Sequence, residues 1–271
     1  MLVIVRPPGR AFAEAISTHP GRHRIDVNRA RAQHGSFCAA IEAAGLPLLR
    51  LLGDPDLPDA TFVSDVLVAL SPAAGRTGTP VAIVARPAMA SRRAEVDSVV
   101  RAALPHLGSS VRVLTVEEPG TLEGGDVVVY GNRIAIGASG RTNDEGARLL
   151  ADAAHSIGYR PFLCPVVGRL HLATAVTALT ADTLIGTAAG FASLDAAGPD
   201  AAPPEIRRLV LPDEELGGAN VLSLGGHAFL DAGFPTAAPL LREMGLVVHE
   251  LDLSEFALAD GGPTCLVNVL P

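Results

Sequence analysis

One order of elements recurs along the chain, and it constrains the fold more than any other feature of the 271 residues. The clearest copy runs from Asp126 to Val167. Asp126 to Tyr130 reads as a strand, Gly131-Asn132 as a tight turn and Arg133 to Gly137 as the returning strand. Asn143 to Ile157 reads as a helix. Asn143 can accept from its first free N–H groups, and Leu149, Leu150, Ala153, Ala154 and Ile157 fall on one apolar stripe. Gly158 stops the helix, and Arg160 to Val167 is a closing strand. The same order returns at Val221–Leu224, Ala228–Leu230, a helix over Thr236–Met244 and a strand over Leu246–Leu251. It returns again at Val66–Leu70, Val81–Val84, a helix over Arg93–Leu104 and a strand over Val111–Leu114. Fainter pieces lie at 2–52 and 172–211. A unit of this kind cannot bury its apolar face alone and must pack on its neighbours. The chain is therefore expected to be α/β, with roughly five ββαβ units arranged around a centre, residues 1–271 forming one closed domain. Ser17–Asp26 reads as a mobile surface loop, Ser71–Pro80 as a hairpin tip, and the small-residue, Pro-rich run Ala188–Pro204 as an exposed connection.

In a radial arrangement, equivalent junctions between elements converge on one axial cleft, and loops at element ends are where sites usually lie. The polar junctions are Pro58 to Asp65, Leu122 to Asp126, Arg141 to Asn143, Leu170 to Leu172 and Asp260 to Cys265. Cys265 follows the turn-rich run Asp-Gly-Gly-Pro-Thr, which can present a thiol at a strand start. It reads as a nucleophile or as an inert buried thiol. His171, between two leucines, reads as a hydrogen-bonded core residue or as an acid/base. Glu123-Gly-Gly-Asp126 joins two carboxylates to two glycines that permit close backbone approach. Strand alternation would put Asp59, Thr61, Val63 and Asp65 on one face. Arg86 ends a strand and Arg141 precedes a helix. Cys38 and Cys164, in apolar settings, read as inert, and the remaining histidines as surface or packing residues.

Composition excludes several classes of function. A formal net charge of −8 disfavours nucleic acid and mildly favours a cationic ligand. With no Trp and two Tyr there is no platform on which bases could stack. No run of apolar residues is long enough for a membrane span, and the N-terminus reads as a first strand rather than a signal peptide. Three cysteines argue against a disulfide framework and for a reducing compartment, hence the cytoplasm. No metal-ligand spacing and no phosphate-binding glycine loop occurs, so no metal and no cofactor is expected.

Seven stretches, in order along nearly the whole chain, resemble one family. They are Asp26-Val-x-Arg-Ala-x-x-Gln-His34, Pro58-Asp-Ala-x-Phe-Val-x-Asp65, Ala85-Arg-Pro87, Pro119-Gly-Thr-Leu-Glu-Gly-Gly-Asp126, Gly140-Arg-Thr-Asn-x-Glu-Gly146, Leu170-His-Leu172 and Gly261-Gly-x-Thr-Cys-Leu266. The chain resembles a dimethylarginine dimethylaminohydrolase of the guanidine-modifying, or amidinotransferase, superfamily. The resemblance implies the pentein fold, a five-bladed α/β propeller. It also implies a cysteine hydrolase, of the class acting on linear amidines, that cleaves a guanidinium C–N bond of methylated arginine through a covalent thiouronium on Cys265. His171 would be the proton donor, and Glu123 would bond both His171 and the guanidinium. Asp59 and Asp65 would contact the guanidinium end and its chain, with Ser64 beside them. Arg86 and Arg141 would grip the amino-acid carboxylate, Ile16 and Ala259 would offer backbone contacts, and the loop from about Ser17 would act as a lid. The partner would be a small cationic substrate, the protein a monomer or homodimer. Two positions depart from the family pattern: Ser64 stands where a Glu is usual, which would remove one charge from the pocket, and Ala173 where a Lys is usual. The alternatives within the superfamily are a hydrolase of arginine or another guanidine compound, or an amidinotransferase. Ala173 stands where arginine deiminases carry an Asp. Outside enzymology, the alternative is a silent pentein that binds a cationic ligand.

Overall fold

The computed structural model describes residues 1–271 and contains five three-stranded sheets. The first blade holds β1 (Leu2–Val5), α1 (Val27–Ala43) and β2 (Leu48–Arg50); the second holds β3 (Leu67–Leu70), β4 (Val81–Val84), α2 (Val96–Ala103) and β5 (Arg112–Thr115). The third holds β6 (Val127–Tyr130), β7 (Arg133–Ala138), α3 (Asp144–Ser156) and β8 (Arg160–Pro165). The fourth holds β9 (Val176–Ala178), β10 (Thr183–Thr187), α4 (Ala188–Ala196) and β11 (Arg207–Leu211). The fifth holds β12 (Leu222–Leu224), β13 (His227–Asp231), α5 (Ala237–Glu243) and β14 (Val247–Leu251). A short helix, α6 (Ser254–Ala257), leads to the last strand, β15 (Asn268–Leu270), which returns to the first blade and pairs antiparallel with β1. In every blade the middle strand is antiparallel to the inner strand and parallel to the outer one, and a helix makes the parallel crossover. This is the five-bladed α/β propeller that the repeats imply.

Apolar clusters join neighbouring blades. Phe12, Phe37, Phe229 and Phe256 link the fifth blade to α1. Ile83, Ile134, Ile136 and Leu150 link the second and third blades. Tyr130, Leu184 and Phe191 link the third and fourth, and Ile185, Leu209, Leu230 and Leu241 the fourth and fifth. Ile4, Leu67 and Leu270 close the circle between first and second. Asn268 strengthens that seam, its Nδ2 donating to the carbonyls of Val63 at 3.1 Å and Leu67 at 2.7 Å.

Two local expectations are corrected. The run from Ala188 to Pro204 is not all connection, because α4 occupies its first half. Thr187 caps the helix by accepting from Gly190 N–H at 3.3 Å, and Phe191 and Leu194 carry its buried face. Residues 59–65 do not alternate as a strand: Val63–Val66 is a 3-10 turn, and Thr61 Oγ1 points inward to donate to the Arg6 carbonyl at 2.8 Å. The loop expected over Ser17–Asp26 contains a 3-10 turn at Arg22–Arg24.

Equivalent turns position the site. A 3-10 turn precedes the inner strand of every blade: Val63–Val66, Gly124–Asp126, Leu172–Thr174, Asp213–Ala219 and Pro263–Leu266. They meet around the axis, and each delivers one polar residue at or beside it: Asp65, Glu123, His171, Asn220 and Cys265.

Candidate active site

The turns approach one another closely enough to require glycine. A Cβ on Gly124 would lie 2.1 Å from the Ser64 carbonyl oxygen, and one on Gly125 would lie 2.6 Å from His171 Nδ1. Close packing of this kind brings Glu123 Oε2 to 2.9 Å from His171 Nε2. Behind the histidine, Leu172 N–H donates to Asp126 Oδ1 at 3.0 Å, and Asp126 also accepts from Ser139 and Thr142 at 2.6 and 2.7 Å. Burial alone would favour neutral imidazole. The Asp65 carboxylate, the Glu123 hydrogen bond and Asp126 outweigh it, so His171 is held above its ordinary value.

His171 and Cys265 line one small cavity with Asp59, Asp65, Arg92 and Arg141; Ile16 and Ala259–Gly261 close it on one side. Cys265 is half-buried, its N–H donating to the Gly262 carbonyl at 3.0 Å. Burial and then the Asp65 charge push its thiol up, which favours neutral sulfur. Asp65 is driven the other way. Burial would raise it, but the positive charges of His171 and Arg92, with hydrogen bonds from Arg92 and from Gly125 N–H, hold it below the usual carboxylate range. Asp59 is raised by burial and accepts from Ile16 N–H at 3.1 Å. The other two thiols differ from Cys265 in access: Cys38 and Cys164 are buried and line no part of the cavity, and burial pushes them up to about 11 and about 12.

The cavity measures ≈ 20 Å³, which is water-sized. An arginine-sized molecule enters only if a wall moves. Part of the wall is held by ion pairs through Asp65, Arg92, Arg141 and His171, but the side made by Ile16 and Ala259–Gly261 is a polar latch. Ser17 Oγ donates to the Leu258 carbonyl at 2.9 Å, and Thr18 donates from N–H and Oγ1 to Asp260 Oδ2 at 2.6 and 3.0 Å. Asp260, at φ 57°, is the one non-glycine residue of the chain in the left-handed region.

Three expected contacts fall elsewhere. Glu123 does not line the cavity. It is fully buried behind His171, with its oxygens taken by Ala88 N–H at 3.2 Å, His171, Arg92 at 3.4 Å and Arg141 at 3.5 Å. A carboxylate has about four acceptor positions, so little capacity is left for a ligand. Ser64 does not line the cavity: it borders a separate axial space of ≈ 290 Å³ shared with Ala173, and its Oγ donates to Asp65 Oδ1 at 3.4 Å. Arg86 is turned to Glu118 at 3.0 Å and the Gly120 carbonyl at 3.1 Å, outside the lining. Ile16, Asp59, Asp65, Arg141, His171, Ala259 and Cys265 all line the cavity.

Sequence reading missed Arg92 and Asn220, and named Asp260 only as the start of the Cys265 junction. Arg92, with Glu95 three residues on, has the pattern of an ordinary surface ion pair, so no signal marked it. Asn220 was findable, because it stands at the fifth blade's copy of the junction that yields Asp65 and Cys265. Its Oδ1 accepts from Thr264 N–H and Oγ1 at 3.0 and 2.9 Å, and its Nδ2 reaches to 3.8 Å from Cys265 Sγ. Asp65, Glu123 and His171 have donor atoms within 4.8 Å of one another, the spacing of a metal set. The Arg92 guanidinium bonds to both carboxylates there, so a cation already fills that role.

Comparison with known proteins agrees with the geometry. The N(G),N(G)-dimethylarginine dimethylaminohydrolase of Streptomyces coelicolor is 37% identical over 264 residues, covering 97% of this chain and 94% of that protein. The solved structure of the Pseudomonas aeruginosa dimethylarginine dimethylaminohydrolase, a cysteine-to-serine mutant complexed with citrulline, superposes with a TM-score of 0.84 at 27% identity. It covers 98% of this chain and 97% of that one. A dimethylarginine dimethylaminohydrolase in which histidine is replaced by glycine, solved as an adduct with S-methyl-L-thiocitrulline, gives a TM-score of 0.83 at 27% identity, with 98% of each chain covered. No protein-family model matches the chain.

Proposed function

The chain belongs to the dimethylarginine dimethylaminohydrolase family, and from that premise we propose that it hydrolyses Nω-methylated arginine to citrulline and dimethylamine or methylamine through a covalent adduct on Cys265. The observation that carries this reading is one cavity wall bearing a half-buried thiol, an imidazole backed by a carboxylate, and further carboxylates.

Burial and the Asp65 charge favour the neutral thiol. A guanidinium entering between Asp65 and Cys265 offsets the Asp65 charge that disfavours thiolate, so the nucleophile forms where and when substrate is present. The thiol gives up its proton to solvent, and the thiolate sulfur adds to the guanidinium carbon. His171, held protonated by its acidic neighbours, gives its proton to the departing dialkylamine nitrogen as the C–N bond breaks. The neutral imidazole then takes a proton from water as that water adds to the thiouronium carbon. The sulfur leaves, and citrulline results. Two lower barriers replace a single attack by water on a resonance-stabilised cation. Glu123 acts through His171 by fixing its ring, Asp59 ties Ile16 against the substrate chain, and Arg141 is the cation available to the amino-acid carboxylate. Residues 1–271 would act as one unit, as a monomer or homodimer in the cytoplasm, with no nucleic acid or membrane partner. The acidic balance supports the absence of a nucleic-acid partner, and no helix is long and apolar enough to cross a membrane.

Citrulline formation from asymmetric dimethylarginine, monomethylarginine, arginine and agmatine, assayed in parallel, tests the proposal. The two methylated arginines should be turned over in preference. Preference for arginine or agmatine, or no citrulline from any of them, would refute it.

A further inference from the structure

Arg92 is unexpected on the wall of a pocket for cations. Its side chain is 5% exposed, and every arm of the guanidinium is engaged. Nε and Nη2 grip Glu95 at 3.2 and 2.9 Å, Nη2 also reaches the Phe62 carbonyl at 3.4 Å, and Nη1 reaches Asp65 at 2.8 Å and Glu123 at 3.4 Å. Asp65 belongs to the turn that opens the second blade's inner strand, Glu123 to the turn that opens the third's. Two carboxylates at this range in a dry interior repel unless a cation lies between them. A planar fork bridges both while staying anchored on Glu95, which an ammonium on a flexible stem cannot do.

We propose that Arg92 is the positioning residue of the site, clamping Asp65 and Glu123 together across two blades and so fixing both the anion that meets the substrate and the carboxylate that aims His171. This rests on the hydrolase reading above. Arg92 itself would not contact the reacting atoms; it acts through the carboxylates. The charged and titratable groups facing it are Asp65, Glu95 and Glu123, with Asp59 beyond; those sharing the cavity with Cys265 are Asp59, Asp65, Arg92, Arg141, His171 and Asp260. Asp65 stays below the usual carboxylate range although burial opposes it, while Glu95, on the outer side of the clamp, is pushed by burial up to about 7 despite Arg92.

The experiment compares wild type with Arg92→Lys and Arg92→Met by two readouts: the pH profile of kcat/KM for asymmetric dimethylarginine, and the pH dependence of Cys265 alkylation by iodoacetamide. In Arg92→Met the cation is gone, so the acid limb of kcat/KM should move up by about 1–3 pH units as Asp65 protonates more readily. The alkylation midpoint should also rise. In Arg92→Lys the charge stays and the bridge is lost. Both pH positions should stay at wild-type values while kcat falls on the order of 100-fold from misplacement. If Arg92→Met fails to fold, Arg92→Lys still decides: wild-type kcat there overturns the clamp. A folded Arg92→Met with unmoved limbs also overturns it, since a merely structural arginine would leave them in place. Wild type that makes no citrulline refutes the hydrolase reading instead. Alkylation then still tests the charge of Arg92 without turnover.

Discussion

At the scale of single residues, opposite shifts on neighbouring groups define the site. Burial and Asp65 hold Cys265 protonated, while Asp65 with Glu123 and Asp126 holds His171 protonated. Cys265→Ser should therefore fold normally and make no detectable citrulline. Glu123→Gln should lower kcat more than it raises KM, since Glu123 bonds the histidine and does not face the cavity; steady-state kinetics check the split. Stability should depend on pH with worked-out signs. The folded pKa of His171 lies above its unfolded value of about 6.5. Its contribution is full below about 6.5 and is lost as pH rises through the folded value. The folded pKa of Asp65 lies below about 3.9, so its contribution is full above that and is lost as pH falls through the folded value. Thermal melts of His171→Gly across neutral pH should lack the decline that wild type shows on the alkaline side. Cys265, His171 and Asp65 were legible as polar junction residues, but their local patterns left both an inert and a reactive reading open, and only the ordered set of stretches resembling the family assigned them roles. Arg92 was not, because burial is a property of the folded chain and an Arg with Glu three residues later is a commonplace of exposed helices.

Among elements, the 3-10 turns ahead of the inner strands bear Asp65, Glu123, His171 and Cys265 at or beside them, and the sheets and helices behind hold these turns in place. Their spacing was legible as a repeat wherever a Gly turn separated two apolar runs, as at Gly131-Asn132. The fourth blade was faint because α4 is built of alanines with only Phe191 and Leu194 to mark a face, so its period did not stand out from a small-residue loop. The latch on the cavity has a specific consequence. Asp260→Gly relieves the left-handed backbone and removes both Thr18 hydrogen bonds. Amide exchange of residues 16–21 should then be faster in the variant and substrate association faster, with the melting temperature little changed. Unaltered exchange there would leave the latch without a role in opening.

For the whole molecule, the decisive feature is that the chain closes on itself. The first blade takes its inner strand from the C-terminus, so β1 is flanked by β15 and β2, and Leu270 is fully buried between blades one and two. Reading the repeats in order gave the number of blades but not this exchange, because pairing between residues 2 and 270 leaves no local pattern. Leu270→Ala should cost about 2–5 kcal/mol, and Asn268→Ala about 1–3 kcal/mol by leaving the Val63 and Leu67 carbonyls short of donors. Denaturant melts measure both. Because the nucleophile turn leads directly into β15, loosening that strand should lower activity before the protein unfolds. The most direct test of the convergence itself is an acid quench during turnover of asymmetric dimethylarginine, followed by mass spectrometry of the peptide containing Cys265. That peptide should carry the mass of the substrate less dimethylamine, with Cys38 and Cys164 unmodified. Citrulline accumulating while the Cys265 peptide stays bare at every time point would contradict the account.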